Sequence, residues 1–129
     1  MAGFMKTYNA QTYALLRIMT GALFVCHGSQ KLIGWPGEAP AEAPAFILYT
    51  AGPIELVAGA LVMVGLYTRW AAFISSGTMA AAYWMAHGTK HLLPILNHGE
   101  LAVLYCFIFL FIAANGPGIW SADAARGDA

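Results

Sequence analysis

The chain has 129 residues, 60% of them hydrophobic and only 9% charged, with six basic and six acidic side chains and a formal net charge of zero. A soluble domain carries about a quarter of its residues as Asp, Glu, Lys and Arg, and so short a chain has much surface to cover with them. These values exclude a soluble globular domain, a disordered chain and a nucleic-acid binder with a basic face, and two cysteines are too few for a disulfide-stapled secreted domain.

A bilayer core of about 30 Å takes roughly 20 helical residues to cross. Apolar windows of that kind predict an all-α chain forming a single domain over residues 1–129, an integral membrane bundle of four antiparallel helices. They run from about Tyr13 to Ile33, Phe46 to Leu66, Trp70 to His87 and Asn97 to Asn115. Gly34, Pro36, Gly37, Pro40 and Pro44 punctuate the first connection, Pro94 the third, and Gly116-Pro117-Gly118 closes the last helix. The second connection, Tyr67-Thr68-Arg69, is tight enough to force a hairpin. The first window follows Lys6 like a secretory signal, but it leads into His27-Gly28-Ser29-Gln30-Lys31 without a small-x-small cleavage site, so it reads as a retained helix.

With four spans both termini share a side, which collects Lys6, Arg69 and Arg126, with Arg17 near the start of the first helix. Lys31 and Lys90 fall on the other side, beside the Glu38-Ala39-Pro40-Ala41-Glu42 loop. The balance favours termini on the inner, cytoplasmic side. Trp35, Trp70, Trp84 and Trp120 fall near helix ends, as interfacial anchors do.

An ionisable group inside a membrane helix is costly unless it meets a partner or a wet cavity, which makes each one a candidate site. Arg17, Thr20, Phe24, His27 and Lys31 recur at spacings of three and four, on one stripe expected to face the bundle interior. Glu55 follows Pro53, which removes a backbone bond to Tyr49 and can kink the helix. Arg69, Ser76, Ala80, Tyr83 and His87 share a face of the third helix; in the fourth, Glu100 lies in line with Leu104, Phe107 and Phe111. At about 1.5 Å of rise per residue, Glu55 comes near mid-membrane, Arg17 toward the inner side, and His27, Lys31, His98 and Glu100 toward the outer side. The expected pairs are Glu100 with Lys31, and Glu55 with Arg17 or His27. Such pairs fit either a ligand or proton site or a purely structural role.

Metal chemistry finds no support, since the Glu-x-x-His motif of carboxylate-bridged centres is absent and Gly88 and Pro94 interrupt the helix that would join His87 to His91. Haem between His27 and His98 is a weaker alternative to hydrogen-bonding histidines. Cys26 and Cys106 lack a Cys-x-x-Cys context and read as inert. The small residues of the third helix, with Gly77-x-x-x-Ala81 among them, suit an internal helix contact first and a dimer seam second.

The chain resembles the DoxX family of small four-helix membrane proteins. The likeness rests on Arg17 with the segment His27 to Gly34, on Glu55-Leu56-Val57-Ala58-Gly59 leading to Gly65-Leu66-Tyr67-Thr68-Arg69, on Asn97-His98-Gly99-Glu100-Leu101 through Leu104-Tyr105, and on the tail from Gly116 to Asp123. Where family members often carry a further glycine, this chain has Ala58 or His98. The resemblance implies a bundle in the bacterial cytoplasmic membrane; some members resemble the membrane subunit of a thiosulfate:quinone oxidoreductase, and others are tied to oxidative-stress complexes or to biosynthetic and catabolic operons.

The leading expectation is therefore a membrane subunit of a quinone-linked oxidoreductase. Arg17, His27, Lys31, Glu55, Glu100 and His98 are the candidates for a quinone site or proton path, and a redox partner subunit would supply the electrons. A second class is a carrier or exporter of a small lipophilic or anionic molecule gated at Pro53, and a third is an assembly protein without chemistry. A homodimer stays open, the lipid bilayer is the main partner, and no nucleic acid is expected.

Overall fold

The structure, a computed structural model, describes residues 3–39, 41 and 43–128. Pro40 and Glu42 of the first connecting loop lie outside the described residues. The described chain is all-helical: a 3₁₀ turn Lys6–Tyr8, then α1 Asn9–Ile33, α2 Ala45–Val64, α3 Thr68–Tyr83, a short α4 Pro94–Asn97, α5 Glu100–Asn115 and a short α6 Ala122–Ala125. α2 is both long and apolar enough to cross a membrane by length and composition; α5 is as apolar but shorter.

Three boundaries differ most from those expected, while α2 ends at Val64 and α3 starts at Thr68, each two residues early. α1 begins four residues early, at Asn9. α3 stops at Tyr83 and widens into a π turn over Trp84–Gly88. The last predicted helix begins at Glu100 instead of Asn97, because His98 takes a left-handed backbone (φ 60°) and the Asn97 side chain accepts the Gly99 N–H at 2.8 Å, which ends the short α4 before α5 starts.

α1 and α2 pack with their backbones nearly touching. Gly21 and Gly28 on α1, seven residues apart, face Gly59 and Gly52 on α2, also seven apart. A Cβ on Gly21 would stand 2.5–2.7 Å from backbone atoms of Met63 and Gly59, and one on Gly28 would collide with Leu56 and Gly52 backbone. Glycine at these positions lets two helices gain dispersion contacts along their length that any side chain would forbid. α1 and α5 stand farther apart and meet through aromatic side chains. The Phe24 ring lies 4.6 Å from Phe109 and 5.5 Å from Tyr105, centroid to centroid, and Tyr13 meets Phe111 edge-on at 5.8 Å.

The α2–α3 hairpin is set by Gly65. Its φ of 73° lets Gly65 N–H bond to the Val62 carbonyl and Leu66 N–H to that of Leu61, closing the helix and reversing the chain within three residues. Large apolar side chains point outward all round: Leu15, Met19 and Leu23 on α1, Phe73 and Ile74 on α3, and Leu104, Phe107 and Phe111 on α5 are exposed. Arg17, Thr20, Glu55, Ser75 and Ser76 are buried instead. Gly77 is exposed with open space around it, so the Gly77-x-x-x-Ala81 motif makes no internal helix contact.

Candidate functional site

The stripe on α1 faces inward as expected, and its two ends meet different surroundings. Toward the end where α1 and α3 stop and α2 and α5 begin, the helices enclose a cavity of about 540 Å³. That size suits a small-molecule site. Glu55 reaches it from α2, and Lys31 from α1 donates to Glu55 Oε2 at 2.5 Å, with side-chain exposures of 18% for Lys31 and 3% for Glu55. The other carboxylate oxygen, Oε1, has no hydrogen-bond partner among the described residues.

One helical turn below Lys31, His27 lines the same cavity and meets the Tyr105 ring edge-on at 5.8 Å. Phe24 and Tyr105 form the aromatic floor, and His87, Lys90 and His98 stand at the rim. The rim is fixed from beneath by a buried amide. Asn97 Nδ2 donates to the Tyr83 hydroxyl at 2.9 Å and to the His91 carbonyl at 2.7 Å; Tyr83 donates to the Leu92 carbonyl at 3.0 Å, and His87 Nδ1 lies 2.9 Å from the Asn97 carbonyl. The π turn lets His87 reach that carbonyl, and such turns commonly mark functional positions. The cavity therefore combines an apolar floor, an ion pair with one open carboxylate oxygen, and several nitrogen donors.

Four of the six candidates, His27, Lys31, Glu55 and His98, thus share one cavity. Glu100 does not join them: it is exposed, and its line with Leu104, Phe107 and Phe111 faces outward, whereas Tyr105, Phe109 and Ile112 form the buried face of α5. The expected Glu100–Lys31 pair is replaced by Lys31–Glu55, because the glycine contacts hold α1 and α2 closer than any other approach to Lys31.

Arg17 likewise pairs with no carboxylate among the described residues. It is fully buried about 15 Å along α1 from His27, and donates from Nη1 to the Val62 and Met63 carbonyls (2.9 and 2.8 Å) and from Nη2 to those of Ile119 and Trp120 (3.2 and 2.7 Å). A guanidinium suits the carbonyl end of a helix, where the dipole is negative and the last carbonyls lack partners. Arg69 does the same for α5, bonding Ala113 and Ala114 carbonyls at 2.9 and 2.6 Å, and Tyr13 donates to the Gly116 carbonyl at 2.6 Å. The tail completes this lock. Asp123 accepts the Tyr67 and Thr68 N–H groups and the Thr68 hydroxyl, each at 2.9 Å, capping α3. Burial alone would raise its carboxyl, but those donors outweigh burial and hold it below the usual carboxylate range.

The sequence reading did not place Tyr105, Lys90 and His87 together at the site. Tyr105 was within reach of it, since Tyr105, Phe109 and Ile112 recur at helical spacing. The DoxX family model matches residues 12–88, which include nearly all of α1 and the whole of α2 and α3, and the chain belongs to the DoxX family. It is 39% identical to an "Uncharacterized protein" of Haemophilus influenzae, over 92% of this chain and 93% of that one. It is 29% identical to the "Putative oxidoreductase CatD" of Bacillus subtilis, over 84% of this chain and 82% of the relative. No solved structure matches the chain.

Proposed function

We propose that the chain is a multi-pass protein of the bacterial inner membrane, crossing it with α1, α2, α3 plus its π turn, and α5, and that the cavity binds a quinone head group for a quinone-linked oxidoreductase. The observation that carries this reading is the Lys31–Glu55 pair at the apolar, aromatic-floored cavity, with one oxygen of Glu55 left unpaired. The inside-out surface supports the membrane assignment: apolar side chains lie outward on every long helix, while the buried charges lie between helices. Lys6, Arg69 and Arg126 at the end opposite the cavity favour that end in the cytoplasm.

Quinone reduction consumes two electrons and two protons. His27 and Lys31 are placed to donate hydrogen bonds to ring carbonyls, the Phe24 and Tyr105 rings to bound the ring plane, and Glu55 to hand on protons received through the rim histidines. The electrons come from a partner subunit carrying a redox cofactor, since this sequence has no nucleotide-binding fingerprint. The oxidoreductase name of the Bacillus relative supports the redox class.

The test is purification in mild detergent followed by lipid extraction and mass spectrometry. Quinone copurifying with the wild-type protein and lost in Glu55→Gln and His27→Ala is the expected result. A quinone-free protein that also fails to bind an added decyl-benzoquinone refutes the reading, and solute movement by that protein in liposomes establishes the carrier alternative in its place.

A further inference from the structure

A second hollow, of about 240 Å³, lies between α2 and α3 on the outer surface of the bundle. It adjoins the cavity, with Ile47, Ala51, Ala82, Met85 and Ala86 lining both. The two differ in chemistry. Thr50 and Thr78 carry the hydroxyls of the groove, and each is committed to its own helix: Thr50 Oγ1 donates to the Phe46 carbonyl at 2.6 Å and Thr78 Oγ1 to the Ile74 carbonyl at 2.9 Å. Phe46, Ile54 and the alanines complete a lining with no side-chain donor left to give.

The shape follows from the fold. α2 and α3 are tied at Gly65 at the far end of the bundle, while at this end α3 and its π turn offer Ala81, Ala82 and Ala86 toward α2, too small to fill the space between them. The small residues thus keep a slot open instead of drawing two helices together. A slot with no free hydrogen-bonding group, running from an apolar outer surface into a cavity with an ion pair, suits a ligand with two unlike parts.

We propose that the ligand is a long-tailed lipid quinone that passes sideways from the bilayer between α2 and α3, its head against Lys31, Glu55 and His27 and its hydrocarbon tail lying in the α2–α3 groove. This inference rests on the quinone reading above and adds the substrate class and the route. The tail contributes affinity by leaving water, about a fourfold factor per buried methylene, so the groove rather than the head sets the preference among quinones.

Thr78 and Ala81 are among the groove positions that do not line the cavity, and substitutions there leave the ion pair untouched. Binding of a decyl-benzoquinone and of the same ring without its tail is measured for wild-type protein, Ala81→Phe and Thr78→Trp in one detergent, so that partitioning into micelles cancels between variants. The expected result is that both variants bind the tailed quinone at least roughly tenfold more weakly and the tail-less ring within about twofold of wild type, as loss of two buried methylenes already gives that factor. Unchanged affinity for the tailed quinone in both variants overturns the route and leaves the head site standing. Wild-type protein that binds neither quinone refutes the function proposed above and this inference with it. Should the variants fail to fold, a quinone bearing a diazirine at its tail end is photolysed on wild-type protein. Label on residues 46–54 and 78–86 supports the route, and label confined to α1 or α5 overturns it.

Discussion

Replacing Lys31 by Met breaks the one ion pair the described residues place at the cavity, and the cost is unequal on its two sides. At an N–O distance of 2.5 Å, the attraction is about 7 kcal/mol with an effective dielectric constant of about 20, and withdrawing each ion from water costs several kcal/mol, so the intact pair contributes little net stability. Lys31→Met leaves Glu55, 2% exposed, as a lone buried carboxylate, and should cost about 3–5 kcal/mol. Glu55→Gln leaves a longer, partly exposed side chain that can carry its ammonium toward the rim, and should cost about 1–2 kcal/mol. The double variant Lys31→Met/Glu55→Gln removes both charges and should recover to within about 1–2 kcal/mol of wild type. Unfolding by SDS titration from mild-detergent micelles, followed by circular dichroism, measures all four proteins. Single changes that cost under about 1 kcal/mol each and simply add in the double variant would refute the reasoning, since they would mean that water reaches the pair freely. The same proteins separate scaffold from site: the double variant should be folded and unable to bind quinone, whereas a purely structural pair would leave binding intact.

Arg17→Met should cost about 3–5 kcal/mol by leaving the Met63, Ile119 and Trp120 carbonyls without a donor, and limited proteolysis should then cut within residues 119–126 while the cavity still binds its ligand. Asp123→Asn should destabilise by about 2–4 kcal/mol at neutral pH, where the wild-type carboxylate accepts three bonds. A carboxyl held below its unfolded value contributes fully above the ordinary carboxylate range and loses that contribution as pH falls through its folded value, so the gap between the two proteins should close in acid; a gap independent of pH would show that Asp123 acts through shape alone. Gly28→Leu should prevent the α1–α2 approach and abolish the folded state, with loss of a fluorescence transfer signal between labels on the two helices as the readout. His98→Gly should stabilise the fold by about 1 kcal/mol by relieving a left-handed backbone (φ 60°), yet weaken quinone binding, because it removes an imidazole from the rim.

The all-helical class and the inward stripe of α1 were legible because charge is so scarce that each ionisable side chain reports which face is hidden. The partner of each charge was not. Depth along a helix axis allowed Lys31 to meet Glu100 and Arg17 to meet Glu55, but pairing depends on how closely two helices approach, which the glycines decide. Gly21 and Gly28 with Gly52 and Gly59, each pair seven apart, were the available signal, and they specify α1 against α2 before any charge is considered. Glu100 misled for a different reason. α5 is apolar on every side, so its sequence carries no polar stripe to reveal its buried face, and only the spacing of Tyr105, Phe109 and Ile112 does so. Arg17 was visible as a buried charge, but carbonyl partners leave no mark in a sequence.

These partners divide the stripe into two kinds of chemistry. Arg17 donates to fixed backbone carbonyls at the C-terminal end of α2 and in the tail, and so ties those elements together. Lys31 and Glu55 meet each other across a cavity, leave one oxygen open, and sit under a rim of three titratable groups, His87, Lys90 and His98. The Nη donors of Arg17 are spent on carbonyls of the fold itself, whereas Glu55 has an oxygen to spare beside an apolar-floored cavity, where a ligand can reach it. The lock at the far end then has a mechanical consequence. Because Arg17, Asp123 and Gly65 fix where α2 and α3 diverge, the width of the α2–α3 slot is set from about 15–30 Å of helix away, and loosening that anchor should change which tails the groove accepts without altering a residue that lines it.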